Sequence, residues 1–290
     1  MLGQLVVSGI AIGCCYAMIA LAMVIVYKAS EVLNFAQGEL AMVSTFVAYS
    51  LMLSLGLPFP LAAASALLFA FALGAVCEFA FLRQADEPTL LGLIVITLGM
   101  EMMLYGAAGW IWGADTKSFP SPISDTSVYE ISGIIISDQD LTYLATALLL
   151  AGLLFLFFRY TRVGVAMRAT SQNESAAKLM GIRTQWINTF TWGLSSVIGA
   201  LAGILMAPRT MLDPNMMMDP LLKGFAAAVL GGMTSLPGAA LGGCLLGVIE
   251  NLVAGYISTE FKSVVAFVVI VIVLCVRPAG LLGQEEIKKV

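Results

Sequence analysis

The run VVAFVVIVIVLCV, residues 264–276, has no charge and no alternation of polar and apolar positions. A half-buried strand would alternate, and an outer-membrane barrel strand would do so over about ten residues. Similar apolar stretches recur at 3–27, 38–57, 59–82, 90–112, 141–158, 186–206, 220–236 and 238–257. A bilayer span needs about 20 mostly apolar residues. With 60% hydrophobic and only 11% charged residues, the chain has far less charge than a soluble domain, where about a quarter is usual. The fold class is therefore all-α: a polytopic membrane helix bundle of about 8–9 spans, read as one transmembrane domain over 1–290. The weak segment is 220–236, which Gly231, Gly232 and Pro237 interrupt; a full span, a half-helix and a re-entrant segment all fit. MLGQL has no basic n-region, so the first run is expected to be a retained span.

Basic residues orient the bundle. The loop 159–185 holds Arg159, Arg162, Arg168, Lys178 and Arg183. Placing it in the cytoplasm, with nine crossings, puts ten of the fourteen basic residues there, including Lys28, Arg83, Arg277, Lys288 and Lys289. The N-terminus is then outside and the C-terminus inside. The loop 113–140, with Asp115, Asp125, Glu130, Asp138 and Asp140, faces outward and has strand character at Ile134–Ile136. It is either a connector or an external contact.

Inside the cytoplasmic loop, RATSQNESAAKLMGI (168–182) is a polar island. Ser171 and Glu174 have the spacing of a capping box, and Gly181 suits a helix stop. About nine residues of helix, roughly 13 Å, cannot span. Ala176 and Ala177, ringed by Arg168, Glu174 and Lys178, suit docking against a partner. A surface-lying connector is the plain alternative.

Other polar groups sit at depth. Asn34, Gln37, Gly38 and Glu39 open the second span, with Asn34 as its expected cap, and read as a gate or pore lining. Glu101, and Glu250 with Asn251, lie well inside spans, where a carboxylate must be neutral, paired or hydrated. Lys223 is a partner for such an acid, and Glu78 is expected to snorkel or pair with Arg83. Gly238/Gly242 and Gly243/Gly247 are small-x-x-x-small pairs that favour close helix crossing, while the break at Gly231–Gly232 would leave free backbone groups beside a path.

Several chemistries are excluded. Without histidine there is no Ser-His-Asp, Cys-His or HExxH site. Without GxxxxGK[ST] the chain cannot cradle ATP in a P-loop. The five cysteines lie in apolar runs without metal spacing, and no basic block suggests nucleic acid. Catalytic and metal sites are thus read as none.

SAAKLMG (175–181) resembles the EAA-x₃-G loop of ABC-importer permeases, with Ser175 where the first Glu usually stands. LNFAQGELAM (33–42) resembles the NFAHGE signature of branched-chain amino acid importers, with Gln37 in place of His. GGMTSLPGAALGG (231–243) and RPAGLLG (277–283) resemble that family's glycine run and C-terminal end. The resemblance implies a permease subunit of the bacterial inner membrane for hydrophobic amino acids, its 171–181 helix docking on an ATPase. It implies two ATPase subunits carrying ATP and Mg, a second homologous permease forming a heterodimer, an external binding protein and no cofactor on this chain. Another small solute (urea, a short amide, an organic acid) and a secondary transporter using Glu101 and Glu250 are the alternative readings.

Overall fold

The computed structural model describes residues 2–85, 89–120, 128–131 and 133–283. Asp125, Lys288 and Lys289 lie outside the described residues. The chain order is α1 (Leu2–Ser30), α2 (Gln37–Leu55), α3 (Phe59–Cys77) running on into a π-helical turn (Glu78–Leu82), and α4 (Leu90–Trp112). A hairpin follows, β1 (Val128–Ile131) with β2 (Ile134–Ser137), then α5 (Asp138–Tyr160), α6 (Arg162–Gln172) and α7 (Glu174–Leu179). The last elements are α8 (Thr184–Thr210), α9 (Met218–Gly231), α10 (Leu236–Tyr256) and α11 (Lys262–Val276). Eight of the described helices are long and apolar enough to cross a membrane. The seventh apolar segment, α9, has 14 residues, about 21 Å at 1.5 Å per residue and short of a ~30 Å hydrocarbon core.

The chain forms two compact units. One comprises Met1–Val24, Ile123–Ala151 and Asp219–Val290; the other comprises Ile25–Pro122 and Gly152–Met218.

In the first unit, α10 is held by backbone contact on two faces. Gly238 and Gly242 lie against Gly231 and Ala227 of α9. Gly243 and Gly247 lie against Ala17, Gly13 and Gly9 of α1. A Cβ at Gly13 would sit 2.7 Å from the Gly243 carbonyl oxygen, and one at Gly9 2.7 Å from Val248 Cα. As α1 rises from Gly9 to Ala17 it meets α10 descending from Val248 to Gly243, so the two run antiparallel. After α11 the chain returns to the start of α10: the Leu281 and Leu282 amides donate to the Leu230 and Gly231 carbonyls at 2.9 and 3.0 Å. The start of α1 and the 281–282 segment thus lie at opposite ends of α10. The hairpin, of which only β2 was expected, pairs Val128 with Ser137 and Ile131 with Ile134. The Gln4 side-chain amide clamps Ile135 through two 2.8 Å hydrogen bonds.

In the second unit α8 packs on α2 and α3. Gly193 admits Phe71, while Gly199 and Gly203 face Gln37 and Thr45. Trp112 stacks on Phe46 with ring centroids 5.1 Å apart and donates to Ser50 at 2.7 Å, tying α4 to α2.

Gly243→Leu is expected to lower the thermal unfolding midpoint of the detergent-purified protein, in line with an overpacking cost of about 1–3 kcal/mol. Gly106→Ala, inside α4 where a Cβ meets nothing within 4 Å, should not lower it. Equal behaviour of the two variants would contradict the close seam.

Candidate functional site

The 159–185 loop is two helices, not one. Thr161 caps α6, its side-chain oxygen accepting from the Gly164 amide at 3.0 Å. The expected Ser171–Glu174 capping box is not formed. Ser171 belongs to the last turn of α6, where its hydroxyl donates to the Arg168 carbonyl at 2.9 Å. Asn173 is the cap of α7 instead: with φ −161° it leaves α6, and its Oδ1 accepts from the Ala176 amide at 2.8 Å. Two polar residues compete for the start of one short helix, and α6 claims the first. The stop at Gly181 has the expected form. Its φ is +81°, with Gly181 N–H on Lys178 and Ile182 N–H on Ala177, a Schellman closure. So α7 has six residues, about 9 Å.

Its surface is mixed. Leu179 and Met180 are 89% and 84% exposed, Ala176 and Arg168 are exposed, and Ala177 is buried. Lys178 lies 2.9 Å from Glu174 and holds the Glu174 carboxyl below the usual carboxylate range. That pair strengthens α7 above the ordinary carboxylate pKa and is lost as pH falls through the depressed value.

Behind α7 is a polar cavity of about 550 Å³, lined by Lys28, Glu31, Glu78, Arg83, Asn173 and Asn188 among others. Glu78 does not bridge to Arg83. Its carboxylate accepts from the Thr189 hydroxyl at 2.5 Å, while Arg83 donates to Gln185 at 2.6 Å. The π-helical turn swings Glu78 inward, so it is buried rather than snorkelling.

The polar start of α2 meets α8. Asn34 Nδ2 donates to Gln37 Oε1 at 3.0 Å; the Ser195 hydroxyl donates to the same oxygen at 2.9 Å, and Gln37 Nε2 donates to the Ser195 carbonyl at 3.2 Å. Asn34 does not cap α2, whose N-cap is Ala36 without a side-chain bond. Gly38 and Glu39 are buried beside this network. Asn34 Oδ1, Glu39 Oε2, Trp192 Nε1 and Ser196 Oγ are buried without a hydrogen-bond partner among the described residues. Glu101 on α4 is half-buried, and its charge acts on Glu39. Ser195, Ser196 and Trp192 were not singled out in the sequence; a Ser-Ser pair in an apolar run was the available signal.

The first unit holds a different cluster. Lys223 Nζ lies 2.7 Å from both Glu250 and Asp219, with Lys262 3.6 Å from Glu250 and the Tyr16 ring 5.5 Å away. Lys223, expected to partner an acid, thus pairs with Glu250, and both are buried. Asn251 instead donates to the Leu5 carbonyl at 3.5 Å. The break at Gly231–Gly232 is present, Gly232 having φ +107° and Ser235 capping α10. Its Leu230 and Gly231 carbonyls are taken by the 281–282 amides rather than left free.

These features define a polytopic helical membrane protein with a capped helical peg between its fifth and sixth long apolar helices. Residues 5–274 match the family model "Branched-chain amino acid transport system / permease component", and the chain belongs to that family. It is 32% identical to the high-affinity branched-chain amino acid transport system permease protein LivH of Salmonella typhimurium, covering 99% of this chain and 97% of LivH. Identity and coverage are the same for the BraD permease of Pseudomonas aeruginosa. Among solved structures, PsaBC from Streptococcus pneumoniae in complex with Fab aligns with a TM-score of 0.53 at 13% identity, covering 96% of this chain and 92% of that one. That likeness concerns the fold alone.

Lys223→Met leaves the Glu250 carboxylate with only the more distant Lys262 at 3.6 Å and is expected to cost about 3 kcal/mol. Adding Glu250→Leu should recover much of it. Thermal unfolding of the single and double variants checks this; strictly additive losses would mean the two residues are not coupled.

Proposed function

We propose that this chain is the permease subunit of an ATP-driven importer, forming the path for branched-chain or related hydrophobic amino acids by alternating access. The observation that carries the reading is the family match along residues 5–274, with permeases named for this transport similar over nearly the whole chain. Since the sequence has no P-loop, the nucleotide belongs to a separate subunit. Two cytoplasmic ATPases carry ATP and Mg, a second homologous permease completes a heterodimer, and a binding protein delivers solute from outside. The chain is multi-pass in the bacterial inner membrane, N-terminus outside and C-terminus inside. The antiparallel run of α1 and α10, with residues 281–282 at the far end of α10, supports opposite sides for the termini.

In this reading α7 is the docking peg. Leu179 and Met180 enter the ATPase, and the Asn173 cap and Gly181 stop keep the peg rigid. Closure of the ATPases moves α7, and α8 follows through the short link 180–183. The path runs by Asn34 ahead of α2, Gln37 and Glu39 of α2, and Ser195 and Ser196 of α8. The open Asn34 Oδ1, Glu39 Oε2 and Ser196 Oγ suit a hydrated route for a zwitterion. Glu101 stands near that route; Glu250 is spent on Lys223, which disfavours an ion-carrying role for it.

Reconstitution tests the reading. Vesicles with ATPases, both permeases and binding protein should show ATP-dependent leucine uptake that vanishes when this chain is omitted; uptake that persists would sink the proposal. Gly181→Trp forces a bulky side chain into a left-handed backbone at a cost of about 1–2 kcal/mol. With Glu174→Lys as a second variant, it should weaken ATPase co-purification about tenfold. Unchanged co-purification and coupled hydrolysis would remove the docking role from α7.

A further inference from the structure

A second hollow lies beside α7, and the transport reading assigns it no ligand. It is a groove of about 800 Å³ lined by Val76 and Phe79 of α3 and its π-helical turn, Arg83, Lys178 of α7, and Arg183 and Trp186 at the head of α8. Its setting is that of a membrane–water boundary. Along α3 and its extension the chain passes from Val76 and Phe79, 58% and 56% exposed, to Arg83. At the other wall Arg183 stands just ahead of the long apolar helix α8, and Trp186 is 53% exposed. Outward aromatics followed by Arg or Lys mark the headgroup level.

Among the described residues the groove is lined by Arg83, Lys178 and Arg183 and by no acid. Lys178 is engaged by Glu174 at 2.9 Å. The Glu78 carboxylate, outside this lining, accepts from Thr189 and feels the charge of Arg83 without a salt bridge to it. Arg83 has a neutral amide, Gln185, as its hydrogen-bond partner and lies 5.3 Å over the Phe79 ring. Among the described residues neither Arg83 nor Arg183 is in a salt bridge with a carboxylate. Two guanidiniums thus flank an apolar wall that opens toward the acyl region. A phosphate suits this fork geometry, and one joined to a hydrocarbon chain satisfies both halves of the groove.

We propose that the groove binds the headgroup of an anionic phospholipid, with the phosphate between Arg83 and Arg183 and an acyl chain along Val76 and Phe79. Basic pockets beside membrane helices recognise such headgroups by this combination of charge and depth. Because Lys178 and Gly181 form part of the wall, the bound lipid braces α7. An acidic segment of a partner subunit would match the arginines but not the exposed aromatic wall.

The full chain, purified from nanodiscs of phosphatidylcholine doped with phosphatidylglycerol, is examined by native mass spectrometry. Wild type and the charge-matched control R159A/R162A, whose arginines lie outside the groove, should retain phosphatidylglycerol in preference to phosphatidylcholine. The double variant R83A/R183A should retain about tenfold less, and R83K/R183K should keep most of it. Circular dichroism confirms that the variants are folded. Equal retention by R83A/R183A and wild type would overturn the proposal. So would displacement of the lipid by excess inorganic phosphate, which would make this a free-ion site. A double variant that keeps its lipid yet loses the partner ATPase would assign the groove to that subunit and likewise overturn it. None of these outcomes bears on whether the chain transports amino acids.

Discussion

In lipid a helix gains little by hiding leucine from its neighbours, because the solvent is as apolar as the side chain. What remains is contact close enough for many weak attractions to add up, and α10 is built for that. Its glycines bring two other backbones within van der Waals range, α9 on the Gly238/Gly242 side and α1 on the Gly243/Gly247 side. The rest of the first unit follows from this seam. It sets the antiparallel run of α1 and α10, and it places the Gly231–Gly232 break where the 281–282 amides can take the carbonyls of α9. A short helix that ends inside such a bundle needs those donors, since an unsatisfied buried carbonyl costs several kcal/mol in hydrocarbon.

The two units treat buried polarity in opposite ways. In the first, Lys223 is closed off by Glu250 and Asp219, and Lys262 stands beside them. Removing one member strands another, so this cluster resists change. In the second, Gln37 is engaged by Asn34 and Ser195, yet the neighbouring Asn34 Oδ1, Glu39 Oε2, Trp192 Nε1 and Ser196 Oγ remain open. Each open group costs about 1–3 kcal/mol if it stays dry. Five of the six open atoms among the described residues, Asn188 Oδ1 included, fall in the second unit, while Glu250 Oε2 is the one at the Lys223 cluster. The proposed path follows the larger set.

Much of this was legible from the amino acids, because the strongest signals were local. Apolar runs gave the spans to within a few residues at most ends, and Gly181 declared its left-handed backbone. The small-x-x-x-small pairs of α10 marked real crossings, though not which helix each face would meet. Less was legible where the outcome depends on what a segment touches. Ser171 and Asn173 both precede an Ala-rich stretch; only the extension of α6 through Gln172 decides that Asn173 is the cap. Glu78 looked like a snorkelling end-of-span acid, and a π-helical turn, invisible to a 3.6-residue period, carries it inward to Thr189. Asn34 looked like a cap and became part of a network whose other half, Ser195, lies 158 residues along the chain from Gln37.

The joint at Asn173 has a mechanical consequence of its own. α6 is capped by Thr161 and α7 is closed by Gly181, so both are rigid, and Asn173 is the one non-helical residue between them. Its side chain is committed to the α7 amide, which stiffens the outgoing helix and leaves the incoming one to set the angle. On the far side, four residues link α7 to α8, and Thr184, the first residue of α8, is buried. A push on Leu179 and Met180 therefore has little slack to dissipate in. In the proposed docking role the push passes to α8, the helix that carries Ser195 against Gln37. A flexible linker of the same length would absorb that displacement; the closed turn at Gly181 and the buried head of α8 leave it less room to do so.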